Sequence, residues 1–146
     1  MDNPIKKMLI AVDGSATATK ALEYALSLAE KCSAEVQIVN VIQTIGSVTP
    51  SPQSVYASLV YDLEKSAETV LAEAVKVAEE KKPDLKVSTR LLKGRPADEI
   101  VRLAKEEGFD IIVLGSRGLG NTEELLLGSV SDRVADKATC PVLIVK

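Results

Sequence analysis

Residues 115–130 read GSRGLGNTEELLLGSV and hold four of the chain's eight glycines, Gly115, Gly118, Gly120 and Gly128, with Ser129 after the last. A glycine has no Cβ, so it admits a close approach to a phosphate, to another backbone, or only to its own tight turn. A helix beginning near Ser129 would present free N–H groups and a partial positive charge, which suits an anion. Ser129 and Ser131 would add hydroxyls. Gly115, Gly118 and Gly128 would remove side chains that block the approach. A second polar turn, Asp13-Gly14-Ser15, follows the first apolar run. The chain has no histidine. That removes Ser-His-Asp and Cys-His nucleophilic chemistry and histidine-rich metal sites. Glu123 and Glu124 could pair as carboxylates but read better as a solvated face.

These groups need a scaffold, and the pattern of apolar residues supplies one. Met8–Val12 is a continuous apolar run, a strand buried on both faces. A helix from about Ser15 to Cys32 carries Ala18, Ala21, Leu22, Ala25, Leu28, Ala29 and Cys32 on one face. AEVQIVNVI, residues 34–42, is a β-branched second strand. Residues 43–54 have Gly, Pro and Ser without periodicity, a loop long enough to suggest a lid. Val55–Lys82 reads as a helix with Val55, Leu59, Leu63, Ala67, Val70, Leu71, Ala74 and Ala78 inward. LKVSTRLL (residues 85–92) is the third strand. Gly94-Arg95-Pro96 turns into a helix with Pro96 first and Asp98 and Glu99 in its first turn; Gly108 ends it. DIIVL (110–114) is the fourth strand. A short helix spans about Ser129–Ala138, with Ser129 as N-cap and Asp132 at capping-box spacing. CPVLIVK closes the chain as the fifth strand. Strict alternation of strand and helix predicts one α/β domain over residues 1–146, a parallel sheet with helices on both faces.

Composition narrows the function classes. The chain has 146 residues and is 46% apolar and 27% charged, as expected for one globular domain. A net charge of −3 lacks the basic excess of a nucleic-acid binder. No apolar run reaches membrane-spanning length, and five apolar residues near the start are too few for a signal peptide. A cytoplasmic protein is the expectation. Cys32 and Cys140 show no CxxC pattern and read as small buried hydrophobes.

In an open parallel sheet, ligands sit beyond the carboxyl ends of the strands. If strands one and four are neighbours, Asp13-Gly14-Ser15 and the glycine stretch border one crevice. The dinucleotide fingerprint GxGxxG does not fit the spacing of Gly115, Gly118 and Gly120. A phosphate-binding P-loop fails too, because Asn121 stands where the lysine must be. With no lysine, a metal carried by the phosphates would offset their charge.

Gly115-x2-Gly118-x9-Gly128-Ser129 resembles the nucleotide motif of the universal stress protein family. LIAVDGS at the first strand, GRPADEIVRLAKEEGFDIIVLGSRG before the motif and GSVSDRVADKATCPVLIVK after it extend the likeness over the whole chain. The resemblance implies an open five-stranded parallel sheet in the order 3-2-1-4-5, adenine nucleotide alpha-hydrolase-like, and a homodimer. It also implies binding of ATP with magnesium or manganese. Carried over by residue, Ala11, Val12 and Asp13 would line the adenine and ribose or approach the phosphates. Val41 would pack on adenine, and Leu114 and Gly115 would approach ribose and phosphates. Gly118 would let amides reach the phosphates, while Gly128, Ser129, Val130 and Ser131 would present amides and hydroxyls. Asp13 would touch a metal held chiefly by the phosphates. Arg117, where many members carry histidine, is a cation that either favours phosphate or is solvated.

The implied function is a stress-response regulatory module that binds adenine nucleotide, with no partner in nucleic acid or membrane. Two others compete: a slow ATPase or phosphotransfer enzyme, and a structural dimer with an empty crevice. Pyrophosphatase-type chemistry is disfavoured, since Val12-Asp13-Gly14-Ser15-Ala16 is not its Ser-Gly-Gly-x-Asp-Ser loop. A receiver domain would need an acceptor aspartate where Leu92-Lys93-Gly94 stands. The dimer is expected through strand five, Pro141–Lys146. That strand is apolar on both faces, with Val142 and Ile144 on one and Leu143 and Val145 on the other, and the implied order leaves it at an edge that must be covered.

Overall fold

A computed structural model describes residues 3–43, 53–117 and 127–146. Most of the loop expected at 43–54 lies outside them, as do Gly118, Gly120 and Glu123–Glu124. The elements alternate along the chain: β1 (Lys7–Ala11), α1 (Ala16–Cys32), β2 (Glu35–Gln43), α2 (Gln53–Lys81), β3 (Val87–Gly94), α3 (Pro96–Glu106), β4 (Ile111–Gly115), α4 (Ser129–Lys137) and β5 (Val142–Val145). The strands form one sheet in the order β3-β2-β1-β4-β5, and every pairing is parallel.

Side-chain alternation along the strands divides the apolar residues between two faces. Met8, Ile10, Val36, Ile38 and Val113 pack against Ala21, Leu22, Ala25 and Leu26 of α1 and Leu71, Ala74 and Ala78 of α2. Leu9, Val39, Ile112 and Leu114 pack against Ala97, Ile100 and Leu103 of α3 and Val134 of α4. Met8, Leu9 and Ile10 are wholly buried, as an unbroken apolar run in a central strand should be. Asp110, just before β4, accepts the backbone N–H groups of Lys6 and Lys7 at 2.8 and 2.9 Å and so ties the starts of β1 and β4 together. Those two hydrogen bonds hold its carboxyl below the ordinary aspartate range.

Helix α2 departs from expectation at its first half. Val55, Leu59 and Leu63 are exposed, as are Tyr56 and Tyr61, whereas Ala67, Leu71, Ala74 and Ala78 are buried. Periodicity shows that one face of a helix is apolar; it does not show where the underlying sheet stops. The cysteines also differ somewhat from their reading. Cys32 and Cys140 are half-buried, each at the border of one apolar cluster. Burial pushes the Cys140 thiol up. Strand β5 does lie at a sheet edge, with Leu143 and Val145 toward the α1/α2 side and Val142 and Ile144 toward the α3/α4 side. Among the described residues no helix is long and apolar enough to cross a membrane.

Candidate functional site

β1 and β4 are adjacent, with Ile10 opposite Val113. The turn after β1 and the segment after β4 therefore border one crevice, at the point where strand order reverses. A cavity of about 350 Å3 opens there. Its walls include Ala11, Val12 and Asp13 from the end of β1, Val41 from β2, Leu114, Gly115 and Arg117 from the end of β4, and Gly128, Ser129, Val130 and Ser131 from the start of α4. Every site residue expected from the sequence lines it except Gly118, which lies outside the described residues.

Residues not anticipated complete the enclosure: Ala18 from α1, Val39, Asn40 and Gln43 from β2, and Pro96 and Ile100 from the first two turns of α3. A signal for the last two was present. Every helix that follows a strand in a parallel α/β sheet begins at the same edge, so the first turn of α3 had to open toward the crevice. Which strands it covers is decided by packing: α3 crosses to the face shared by Val39, Ile112 and Leu114.

Helix α4 is anchored through Ser116. The Ser116 carbonyl accepts the Gly128 N–H at 2.6 Å and the Ser131 hydroxyl at 2.8 Å, while the Ser116 N–H donates to Val145 O at 2.8 Å. The N-cap is Gly128, with φ −72° and ψ 165°, and it makes no side-chain capping bond. This corrects the assignment of Ser129 as cap; Ser129 is the first helical residue, and the capping-box pairing with Asp132 falls with it. The first intrahelical bond runs from Asp132 N–H to Gly128 O at 2.9 Å. The amides of Ser129, Val130 and Ser131 thus have no intrahelical acceptor by position. Ser131 is 2% exposed and commits its hydroxyl hydrogen to the Ser116 and Gly128 carbonyls. What Ser131 retains for an anion is its backbone amide, and the exposed hydroxyl of the group is that of Ser129.

The turn after β1 is equally determined. Asp13 Oδ1 accepts the Ser15 N–H at 2.9 Å. Gly14 has φ +87°, a left-handed conformation that suits glycine. Ser15 caps α1 by accepting the Ala18 N–H at 3.1 Å. Asp13 therefore both holds this turn and lines the cavity. Gly115 lines the cavity and also serves a close approach within the fold. A Cβ built on it would lie 2.9 Å from Thr17 Cγ2 and 3.0 Å from the Thr17 carbonyl carbon and oxygen. The close approach it permits is to the first turn of α1.

The cavity wall is mixed in character. Val39, Val41, Pro96, Ile100 and Leu114 are its larger apolar residues, while Arg117 and the start of α4, Gly128–Ser131, contribute polar groups. An aromatic base and a phosphate have that pair of properties. Among the described residues no group of three or more acidic, cysteine or histidine side chains is placed to hold a metal. Asp13 is the one carboxylate of the described wall. Such a donor set fits a divalent ion that is held mainly by phosphate oxygens and touches the protein once.

The family model described as the universal stress protein family matches residues 4–146. Universal stress protein YxiE of Bacillus subtilis is 39% identical over 96% of this chain and 98% of its own length. The fold is that of universal stress protein UspA from Lactobacillus plantarum, with a TM-score of 0.88 over 97% of both chains at 24% identity. A universal stress protein solved in complex with cAMP aligns with a TM-score of 0.74 and 27% identity, over 97% of each chain.

Proposed function

The chain belongs to the universal stress protein family, and from that membership we propose that it is a regulatory module that binds ATP together with magnesium or manganese. The observation that carries this reading is the convergence of the α4 amides with an apolar slot in one cavity. Adenine would occupy the slot against Val41, and the phosphates would lie against the amides of Ser129, Val130 and Ser131. Arg117 would offset part of their charge. The structural neighbour that holds cAMP supports an adenine nucleotide as the ligand class.

When bound, the metal neutralises phosphate charge. The protein's part is to orient the nucleotide, to exclude water from the base, and to offer the Asp13 carboxylate as one outer contact. Turnover is expected to be absent or very slow, because no histidine exists and Asp13 is the single carboxylate of the described wall. The test is nucleotide analysis of the purified, denatured protein, followed by calorimetry with ATP and magnesium. Binding in the micromolar to millimolar range is expected. Neither retained nucleotide nor heat at millimolar ATP would end this reading. Asp13→Asn should weaken binding more with magnesium than without; equal loss in both conditions would remove Asp13 from the metal. A turnover of roughly 1–1000 per second would make the protein an enzyme instead.

The same reading includes a homodimer through β5. The strand is short, half-buried and apolar on both faces, at an edge whose backbone groups need a partner. An antiparallel copy across a two-fold axis provides one. Val142→Lys with Ile144→Lys should halve the mass seen by light scattering. A parent protein that is monomeric at micromolar concentration would refute the dimer.

A further inference from the structure

The buried polar side chains among the described residues are Ser15, Asn40, Ser116 and Ser131. All of them stand at the carboxyl edge of the sheet, beneath or beside the cavity. A buried polar group is costly unless it is hydrogen-bonded, so each must hold something. Ser15 caps α1, and Ser116 with Ser131 ties α4 to β4. Asn40 is the remaining member.

Asn40 lies on β2 between Val39 and Val41, which pack on the α3/α4 face. Its own side chain is therefore on the α1/α2 face, in line with Val36 and Ile38. Its Nδ2 donates to the Val12 carbonyl at 2.8 Å, and the bond is buried. A carbonyl can only accept, so the amide nitrogen is the atom that must face it. The β1–β2 register ends at Ala11–Val39 and the β1–β4 register at Ile10–Val113. The last backbone link beyond them is Val12 N–H to Val39 O at 2.9 Å. Past that point the chain turns through Asp13 and Gly14 into the cap of α1. Asn40 thus continues the sheet by one rung with a side chain, where the strand itself has left the ladder.

We propose that Asn40 is a positioning residue of the site. By holding the Val12 carbonyl it fixes the Val12–Asp13–Gly14 turn, and with it the placement of Val12 and Asp13 in the cavity wall. The consequence for ligand affinity rests on the proposed nucleotide function; the consequence for the turn does not. Asn40 also lines the cavity, and the role assigned to it here is its hold on the Val12 carbonyl.

The test uses Asn40→Leu, which keeps a similar volume and removes the donor, beside Leu26→Ala, which opens the wholly buried core of α1 without touching this bond. Without ligand, amide hydrogen exchange is read at Val12, bonded to Val39 O, and at Ser15, bonded to Asp13 Oδ1. Asn40→Leu should speed exchange at both amides by about tenfold or more relative to Leu9 and Ile10, since an orphaned buried carbonyl destabilises the turn locally. Leu26→Ala should raise exchange without singling out the turn. A uniform rise in Asn40→Leu, or none, overturns the proposal. In the second arm, Asn40→Leu should raise the Kd for ATP with magnesium by about tenfold, while Leu26→Ala binds as the parent does. Equal losses in the two variants would also overturn it, as a merely structural role predicts. A parent that binds no nucleotide sinks the proposed function alone, and the exchange measurement still decides the positioning role.

Discussion

Gly128→Val is expected to abolish ATP binding while leaving the sheet and helices intact. Glycine is not demanded here by conformation, because φ −72° and ψ 165° are open to any residue. What distinguishes the position is its place. Gly128 lines the cavity and is the cap from which the amides of Ser129, Val130 and Ser131 project. On the proposed reading, an isopropyl group at that point would compete with the phosphate oxygens for the space in front of those amides. Hydrogen bonds to a charged group contribute about 1.5–3 kcal/mol each. Loss of two of them lowers affinity by at least about 100-fold. The helix should weaken by only about 1 kcal/mol, as expected for replacing a tolerated N-cap with a β-branched one. Calorimetry with ATP and magnesium, beside a thermal melt, measures both effects. Parent-like affinity in the variant would show that Gly128 is only a turn former and that phosphate does not lie against this helix start.

Gly115→Val should act in the opposite sense, chiefly on stability. The first atom of any side chain at residue 115 would sit 2.9–3.0 Å from Thr17, including backbone atoms of the α1 first turn. Backbone cannot rotate away as a flexible side chain can, so α1 must shift against the sheet. Overpacking of this kind costs about 1–3 kcal/mol, or roughly 2–12 °C in Tm for a domain of this size. Because Asp13, Gly14 and Ser15 connect β1 to that same turn, nucleotide affinity should fall as well. The two glycines are thereby separated: Gly128→Val loses binding with a near-parent melt, and Gly115→Val loses stability first. A Gly115→Val protein with an unchanged melt and no binding would return Gly115 to the ligand.

Much of the scaffold was legible in the chain because local rules and the global fold agree. The unbroken run at Met8–Ile10 signalled a strand covered on both faces. Pro96 with Asp98 and Glu99 marked a helix start, and they are the first-turn residues of α3. The glycine spacing and the hydroxyls pointed to the end of β4 and the start of α4, where the cavity is. Elsewhere local pattern ran past what packing allowed. The apolar stripe of α2 continues to Val55, yet its buried residues begin only at Ala67, and Val55, Leu59 and Leu63 are exposed.

By itself, then, the sequence determined the alternation of strand and helix and the residues that could meet a phosphate, because periodicity and glycine chemistry are written along the chain. Adjacency across the chain was decided by tertiary structure. Only folding brings Thr17 against Gly115, so only the structure shows that this glycine serves a helix. Only folding brings Asn40 under Val12, Pro96 and Ile100 over Val41, and the Ser131 hydroxyl onto Ser116. The physical reason is the same in each case. A carbonyl left by a strand that ends, or a Cβ that would meet a distant helix, depends on separations set by sheet order and helix packing, and no spacing along one segment encodes them.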